Sequence, residues 1–455
     1  MQRPRTLLRR TIHLGWPITI QQFLNTLMRT VDILVTGMFS PAAVAAIGLA
    51  DIYTGILRRV GGSLGTAAIA IASQDTGRGA STSRDDAISQ ALIIGAVTGV
   101  PFVILGLLFG HQAIAVLGAD AEVVRLGGLY LMIIFLVAPM RIVGTVATYA
   151  LQGTGDTRTP MLISGVANLL NIIATVGLGL GIGLLPRMGI LGVGLATAGS
   201  RVFVALAILG ALYTTHTDPE LTRPADIILT RQLLGISLPR FAELMVTTLV
   251  AFPFNALLLT FGTEVNAAYH IGRRITQQIA APLYRTFSSV SSIVVGQLLG
   301  EGKPSEAQNA GYVIAIFGLG TVGVISLGVM IYAPRLVTLF TNDEATIGYA
   351  VAFTRTYAIV SVAMLILFVF AGGLRSAGDT RTPLYARFTG HIGLMLGFSY
   401  LSGVLFGFGL LGVYTGIVLA YIWAAIVVAL KFISGNWTET AAALIEARKN
   451  VVDSK

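Results

Sequence analysis

The sequence predicts an all-α integral membrane protein of about twelve transmembrane helices, arranged as two homologous six-helix lobes. Three observations carry that prediction. Of 455 residues, 55% are hydrophobic and only 11% charged, against about 25% charged in a soluble domain. Apolar stretches of bilayer-spanning length recur along the whole chain, so the mean hydropathy of +0.80 is not one anchor on a soluble body. Short motifs of the first half also return, in order, in the second.

The composition excludes a cytosolic enzyme, a nucleic-acid binder and a disordered chain. The net charge of +9 is spread over loops and helix ends without a basic stripe, so it reads as a topology signal. There are no cysteines, hence no disulfides, thiol chemistry or thiolate metal site. The start, MQRPRTLLRR, superficially resembles a signal peptide. The apolar stretch after it is too long and lacks a small-residue cleavage site, so it reads as the first membrane helix.

In chain order the expected spans are 12–39, 44–73, 87–117, 122–151, 159–184 and 189–214, then 232–262, 267–299, 307–333, 345–374, 382–407 and 409–433. The polar run THTDPELTRPAD near the midpoint separates the two sets. This organises the chain as an N-terminal lobe (1–214), an inter-lobe linker (215–231), a C-terminal lobe (232–433) and a tail (434–455) that forms a short amphipathic surface helix.

The repeat justifies the division into lobes. GDTRTP occurs at Gly155–Pro160 and at Gly378–Pro383, an offset of 223 (378 − 155). Gln74-x-x-Gly77-x-Gly79 returns as Gln297-x-x-Gly300-x-Gly302 at the same offset (297 − 74). GILGV from Gly189 returns as GLLGV from Gly409, offset 220 (409 − 189). An even number of helices per half makes the repeats parallel rather than inverted. Basic residues from Arg3 through Arg10, with Arg78, Arg84, Arg158, Arg223, Arg231, Lys303, Arg381, Arg448, Lys449 and Lys455, fall on one side; mainly Arg125, Arg187 and Arg335 fall on the other. The positive-inside rule then puts both termini and both GDTRTP motifs in the cytoplasm of a multi-pass cell-membrane protein.

Ionisable groups inside apolar helices cost several kcal/mol, so each is a functional candidate. Asp32, in LMRTVDILVTG, is the sharpest: a charged carboxylate is disfavoured there, which suits loading and release of a proton or a cation. Its structural alternative is an ion pair with Arg29 on the same face. Pro17 on the same helix is a potential kink site. Asp51 lies within the second helix beside Arg58 and Arg59, as a buried pair or a cavity wall. Glu243 follows Pro239 by four residues, as Gln21 follows Pro17, so it is the embedded carboxylate of the second half. Arg141, Arg201, Arg285 and Arg355 read as pairing, snorkelling or cavity-lining groups. Asn168, Asn171 and Thr175 share one face of the fifth helix, either as a polar site or as interhelical hydrogen bonds. Adding 223 to Asp32 gives Asn255; adding it to the helix-5 cluster gives His391, Leu394 and Phe398, so the second half has largely lost the polar set. No phosphate-binding loop, metal-ligand motif or nucleophile elbow occurs, which argues against an enzyme and against a cofactor. Without an ATPase domain, uphill transport must draw on an ion gradient.

Two six-helix halves, GWPITIQQ followed by VDILVTG, Q-x-x-G-x-G after the second helix and GDTRTP after the fourth and tenth resemble the MATE (multidrug and toxic compound extrusion) transporters, the DinF-like branch most of all. The resemblance covers nearly the whole chain. It implies a V-shaped bundle with a large central cavity, and export of organic, often cationic compounds in exchange for H+ or Na+. It implies a coupling site in the N-terminal lobe, with Asp32 as its helix-1 aspartate and Pro17 as its kink proline. The helix-5 pattern N-x-x-N-x-x-x-D reads here Asn168, Asn171 and then Thr175, so one expected aspartate is missing. Thr197 matches the helix-6 threonine. A lone carboxylate serves a proton more simply than Na+, so the expectation is H+ antiport through Asp32. The transporter would act as a monomer on small organic substrates within the lipid bilayer. Rival readings are a flippase for a lipid-linked or polysaccharide precursor, whose anionic group the embedded arginines would hold, and a channel or scramblase.

Overall fold

The structure, a computed structural model, describes residues 4–183, 185–214, 217–223 and 227–452. Arg3, Lys455 and, within the expected linker, Thr215, His216 and Pro224–Asp226 lie outside the described residues, as does Leu184 at the end of the fifth expected span. The described chain is all helical, with fifteen α-helices and two π-helical stretches.

Each expected span has a helical counterpart. The first six are α1 (Pro4–Gly37), α2 (Pro41–Gly77), α3 (Ser81–Ala115), the pair α4 (Ala121–Leu136) and α5 (Ala138–Thr154), α6 (Arg158–Leu180) and α7 (Ile190–Tyr213). The next six are α8 (Ile227–Leu259), the pair α9 (Thr263–Ile279) and α10 (Ala281–Gly300), α11 (Pro304–Thr338), α12 (Glu344–Ser376), α13 (Arg381–Thr389) with π-helical Gly390–Phe398 and Leu401–Leu405, and α14 (Leu410–Ser434). By length and composition, nine described helical spans can cross a membrane, and the α4–α5 pair makes a tenth. α1 and the α9–α10 pair are too polar or too short by that measure. The α4–α5 pair is bent by 53° at Val137, where Pro139 in the first turn of α5 cannot continue the hydrogen-bond ladder of α4. Lipid-facing surface is explicit on α3. Ile93, Val97, Val100, Ile104 and Leu108 recur at steps of three and four and are all exposed, an apolar stripe that water would not tolerate.

The repeated motifs do the same local work twice. Gly155 ends α5 at φ 101° and Gly378 follows α12 at φ 90°, a left-handed region that glycine enters without a Cβ penalty. The next residue then caps the following helix: Asp156 Oδ1 accepts the Thr159 N–H at 3.0 Å, and Asp379 Oδ1 accepts the Thr382 N–H at 3.0 Å. GDTRTP is thus a stop-and-restart signal. Gly192 and Gly412 sit where helices come together too closely for any side chain. A Cβ would lie 2.7 Å from the Leu178 carbonyl in the first case and 2.6 Å from Gly403 N in the second.

Packing separates two compact units. One, here the N-unit, holds Trp16–Ser237; the other, the C-unit, holds Leu238–Asn450 together with the start of α1 through Gly15. Both divisions fall inside a helix, α1 or α8, and both come two residues before a proline, Pro17 and Pro239. In the C-unit the tail forms α15 (Trp437–Val452). Trp437 is fully buried, stacks on Phe432 at 4.8 Å and donates its indole N–H to the Phe432 carbonyl at 2.8 Å. That anchor fixes the tail helix to the end of α14.

Candidate ion-coupling site

Three helices of the N-unit build the site. On α6, Asn168, Asn171 and Thr175 are spaced by three and four residues, so they share a face, and all three are buried. Facing them on α1 are Gln21, Asn25 and Asp32. The two helices meet in rungs. Gln21 donates to Ser164 at 2.7 Å, Asn168 donates to Asn25 at 3.2 Å, and Thr175 donates to Asp32 Oδ1 at 3.0 Å. Every rung joins residues 143 apart. A constant separation means that the facing segments run parallel and in register.

The top rung is the site. Asp32 is partly buried, and its carboxylate is held from two sides. Thr175 Oγ1 donates to Oδ1, and Thr197 Oγ1, from α7, donates to Oδ2 at 3.4 Å. Asn171 Nδ2 donates to the same Thr197 hydroxyl at 3.4 Å, while Asn171 Oδ1 is buried with no hydrogen-bond partner among the described residues. The backbone is pinned as well: the Thr36 hydroxyl donates to the Asp32 carbonyl at 2.6 Å. Arg201 and Arg29 act on the carboxylate electrostatically, and two hydroxyls donate to it. One carboxylate, two hydroxyls and a free amide oxygen form a set that can take a proton or surround a small monovalent cation with oxygen.

Of the residues singled out in the sequence, Asp32, Asn171, Thr175 and Thr197 come together. Asn168 lies one rung away and bonds Asn25, not the carboxylate. Pro17 lies inside a continuous α1. Asp51 pairs with Arg58 at 3.2 Å and accepts the Thr54 hydroxyl at 2.9 Å; with 54% of its side chain exposed, it is a surface pair rather than a buried one. Arg141 is half-buried among Arg201, Arg58 and Arg29, without a place on Asp32. Glu243 belongs to the C-unit, where arginines hold it. Asn255 is half-buried, and its Oδ1 has no hydrogen-bond partner among the described residues. Pro17 and Pro239 give these first helices an offset of 222 (239 − 17), so the true counterpart of Asp32 is Phe254, fully buried against Tyr269, and Asn255 is its neighbour.

Sequence reasoning missed the rungs below Asp32 and the arginines around Glu243. Both had a signal. Gln152 and Ser164 flank the first GDTRTP at the positions where Arg375 and Arg387 flank the second.

The comparisons with known proteins bear on the family and the fold. The MatE family profile matches residues 17–177 and 239–401, two stretches that begin at Pro17 and Pro239. The chain is 30% identical over 447 residues to a probable multidrug resistance protein NorM of Rhodopseudomonas palustris, covering 94% of this chain and 92% of that one. It is 26% identical over 297 residues to a protein of the same name from Thermotoga maritima, covering 64% of this chain and 63% of that one. Among solved structures, a MATE in complex with MaD3S superposes with a TM-score of 0.86 over 99% of this chain and 100% of that one, at 22% identity.

Proposed function

The chain belongs to the MatE family, and we propose that it exports small organic compounds, cationic or amphipathic, by antiport with H+ coupled through Asp32. The observation that carries this reading is the top rung, where the Asp32 carboxylate inside α1 accepts from two neutral hydroxyls, those of Thr175 and Thr197. Multidrug resistance proteins among its relatives supply the substrate class. The proposal includes a DinF-like transporter, a reading supported by Pro17, Asp32 and the repeated GDTRTP, that acts as a monomer with both termini in the cytoplasm.

The mechanism follows from hydrogen-bond inventory. A charged carboxylate only accepts, and both threonine hydroxyls donate to it. A protonated one carries a donor of its own, so one hydroxyl must turn away or accept. Protonation from outside therefore loosens the α1–α6–α7 contact at its upper end, and α1 bends about Pro17, where a backbone hydrogen bond is already missing. Substrate is released as the N-lobe cavity reshapes, and deprotonation toward the cytoplasm restores the rung. Proton and substrate must favour opposite states for the exchange to be coupled.

The test is efflux of a cationic dye from proteoliposomes under separately imposed pH and Na+ gradients, for the parent and for Asp32→Asn. The expected result is efflux driven by the pH gradient in the parent and absent in the variant. Unchanged efflux in Asp32→Asn overturns the proposal. Efflux driven by Na+ alone assigns the oxygen set, Asn171 Oδ1 included, to Na+ instead.

A further inference from the structure

The lowest rung of the N-unit is part of a neutral three-helix tie. Gln152 on α5 donates to Gln21 Oε1 at 3.0 Å, and Gln21 Nε2 donates to Ser164 at 2.7 Å and to the Pro160 carbonyl at 3.3 Å. The repeat places Glu243, Arg375 and Arg387 at the same positions of the C-unit, with offsets of 222 (243 − 21), 223 (375 − 152) and 223 (387 − 164). There the tie is ionic. Arg375 Nη2 donates to both oxygens of Glu243, at 2.8 and 3.0 Å, and Arg387 Nε lies 2.9 Å from Oε1. A third guanidinium joins them: Arg240 Nη1 is 2.7 Å from Oε2, at the position where the N-unit has the apolar Ile18.

Holding the three helices together does not require charge, because the N-unit achieves it with two glutamines and a serine. The charged version is also costly. Each buried ion loses several kcal/mol of hydration, and one carboxylate cannot repay three guanidiniums. The side chains are 0% exposed for Glu243, 3% for Arg375, 7% for Arg387 and 12% for Arg240. Three positive charges against one negative leave the cluster at +2. Donors also outnumber acceptors. Each guanidinium presents about five N–H bonds and the carboxylate about four lone-pair sites. Accordingly, Nε of Arg240 and Nε of Arg375 are buried with no hydrogen-bond partner among the described residues. The neighbouring His391 offers no negative charge, its Nδ1 lying 3.1 Å from the Arg387 carbonyl.

We propose that this cluster is a binding site for an oxyanion group, a phosphate or a carboxylate. Arg375 and Arg387 are its inner donors, and Arg240 is the least buried of the three. Glu243 spaces the guanidiniums so that their remaining N–H bonds are free to meet planar or tetrahedral oxygens in pairs. A phosphate removes the excess charge and satisfies the orphan donors together. The group can arrive on a free solute or on a lipid headgroup, and it reaches a part of the molecule that the coupling reading does not use.

The test uses the full-length protein in phosphatidylcholine vesicles, with thermal stability followed as inorganic phosphate replaces chloride at constant ionic strength. The expected result is a saturable rise in Tm. The quadruple variant R240I/E243Q/R375Q/R387S carries the neutral set that already packs in the N-unit. It should fold and need at least tenfold more phosphate for the same response. R240Q, at the least buried position, should weaken the response with little effect on folding. Adding phosphatidylglycerol to the vesicles separates the sources: loss of the phosphate response assigns the site to a headgroup, and its persistence to a solute. The Asp32→Asn protein should respond to phosphate as the parent does, so failure here and failure of the coupling proposal are distinguishable. A parent that shows no saturable response to phosphate, or variants that respond as the parent does, overturns the assignment.

Discussion

Asp32 and Glu243 are carboxylates inside α1 and α8, the first helices of their repeats, and their surroundings could hardly differ more. Asp32 in the N-unit is partly buried and held by two hydroxyls. Glu243 in the C-unit is fully buried and held by three guanidiniums. A hydroxyl bond contributes about 1–2 kcal/mol and can reverse its direction when the carboxylate is protonated. Removing one partner of a buried ion pair costs about 3–5 kcal/mol, and a guanidinium cannot become an acceptor. One repeat therefore carries a carboxylate whose charge can change during a cycle, and the other carries one whose charge is fixed. The difference lies first in the side chains, since the GDTRTP turns, their Asp caps and the close contacts of Gly192 and Gly412 recur in both units.

The largest expected effect breaks the fixed side. Glu243→Ala leaves three guanidiniums facing one another, and we expect a loss of about 3–5 kcal/mol, read as a collapse in Tm and in monodisperse yield. Asp32→Asn, by contrast, should keep the Tm within a few degrees of the parent. Equal stability losses in the two variants would erase the contrast. Next come Gly192→Ala and Gly412→Ala, each of which drives a Cβ against backbone. Both should cost about 1–3 kcal/mol, and to similar extents, because the closing turns of the two units are equivalent. A large difference in thermal unfolding between them would show that the units do not share this packing. Thr175→Asp sharpens the comparison in function. It adds a second carboxylate beside Asp32, and dye efflux should become stimulated by Na+; efflux indifferent to Na+ in that variant counts against ion choice by charge. The smallest effect is that of Thr175→Val, which removes one hydroxyl at constant shape. About 1 kcal/mol corresponds to roughly a fivefold shift in the proton concentration that half-saturates transport, and no shift would separate Thr175 from coupling.

Much of this was legible in the sequence because repeats and polar exceptions stand out against an apolar background. The GDTRTP copies, the shared prolines and the isolated Asp32 needed no coordinates. Asn171, Thr175 and Thr197 were legible as partners of Asp32 through the family pattern, whereas the spacing of Asn168 could not say that it bonds Asn25 instead. The bend between α4 and α5 was marked by Pro139, yet a single mainly apolar stretch from 122 to 151 concealed it. Nothing marked the π-helical stretch from Gly390. Leu394 and Ser399 there sit close against Gly416, a contact that no local pattern announces. Arg375 and Arg387 each read alone as an ordinary basic residue near a helix end; only their repeat positions, those of Gln152 and Ser164, signal that they belong together.

The sequence by itself determined that the chain is helical, membrane-embedded and duplicated, since these follow from apolar length, periodicity and self-similarity, all properties of one strand of text. It also singled out Asp32, because a charge within an apolar helix is costly whatever surrounds it. The tertiary structure decided which partners each buried charge receives: hydroxyls for Asp32, guanidiniums for Glu243, a surface arginine for Asp51. The physical reason is that the cost of burying a charge is local, while for Asp32 and Glu243 most of the compensation comes from residues 132 to 165 positions away that only packing brings within 3.5 Å.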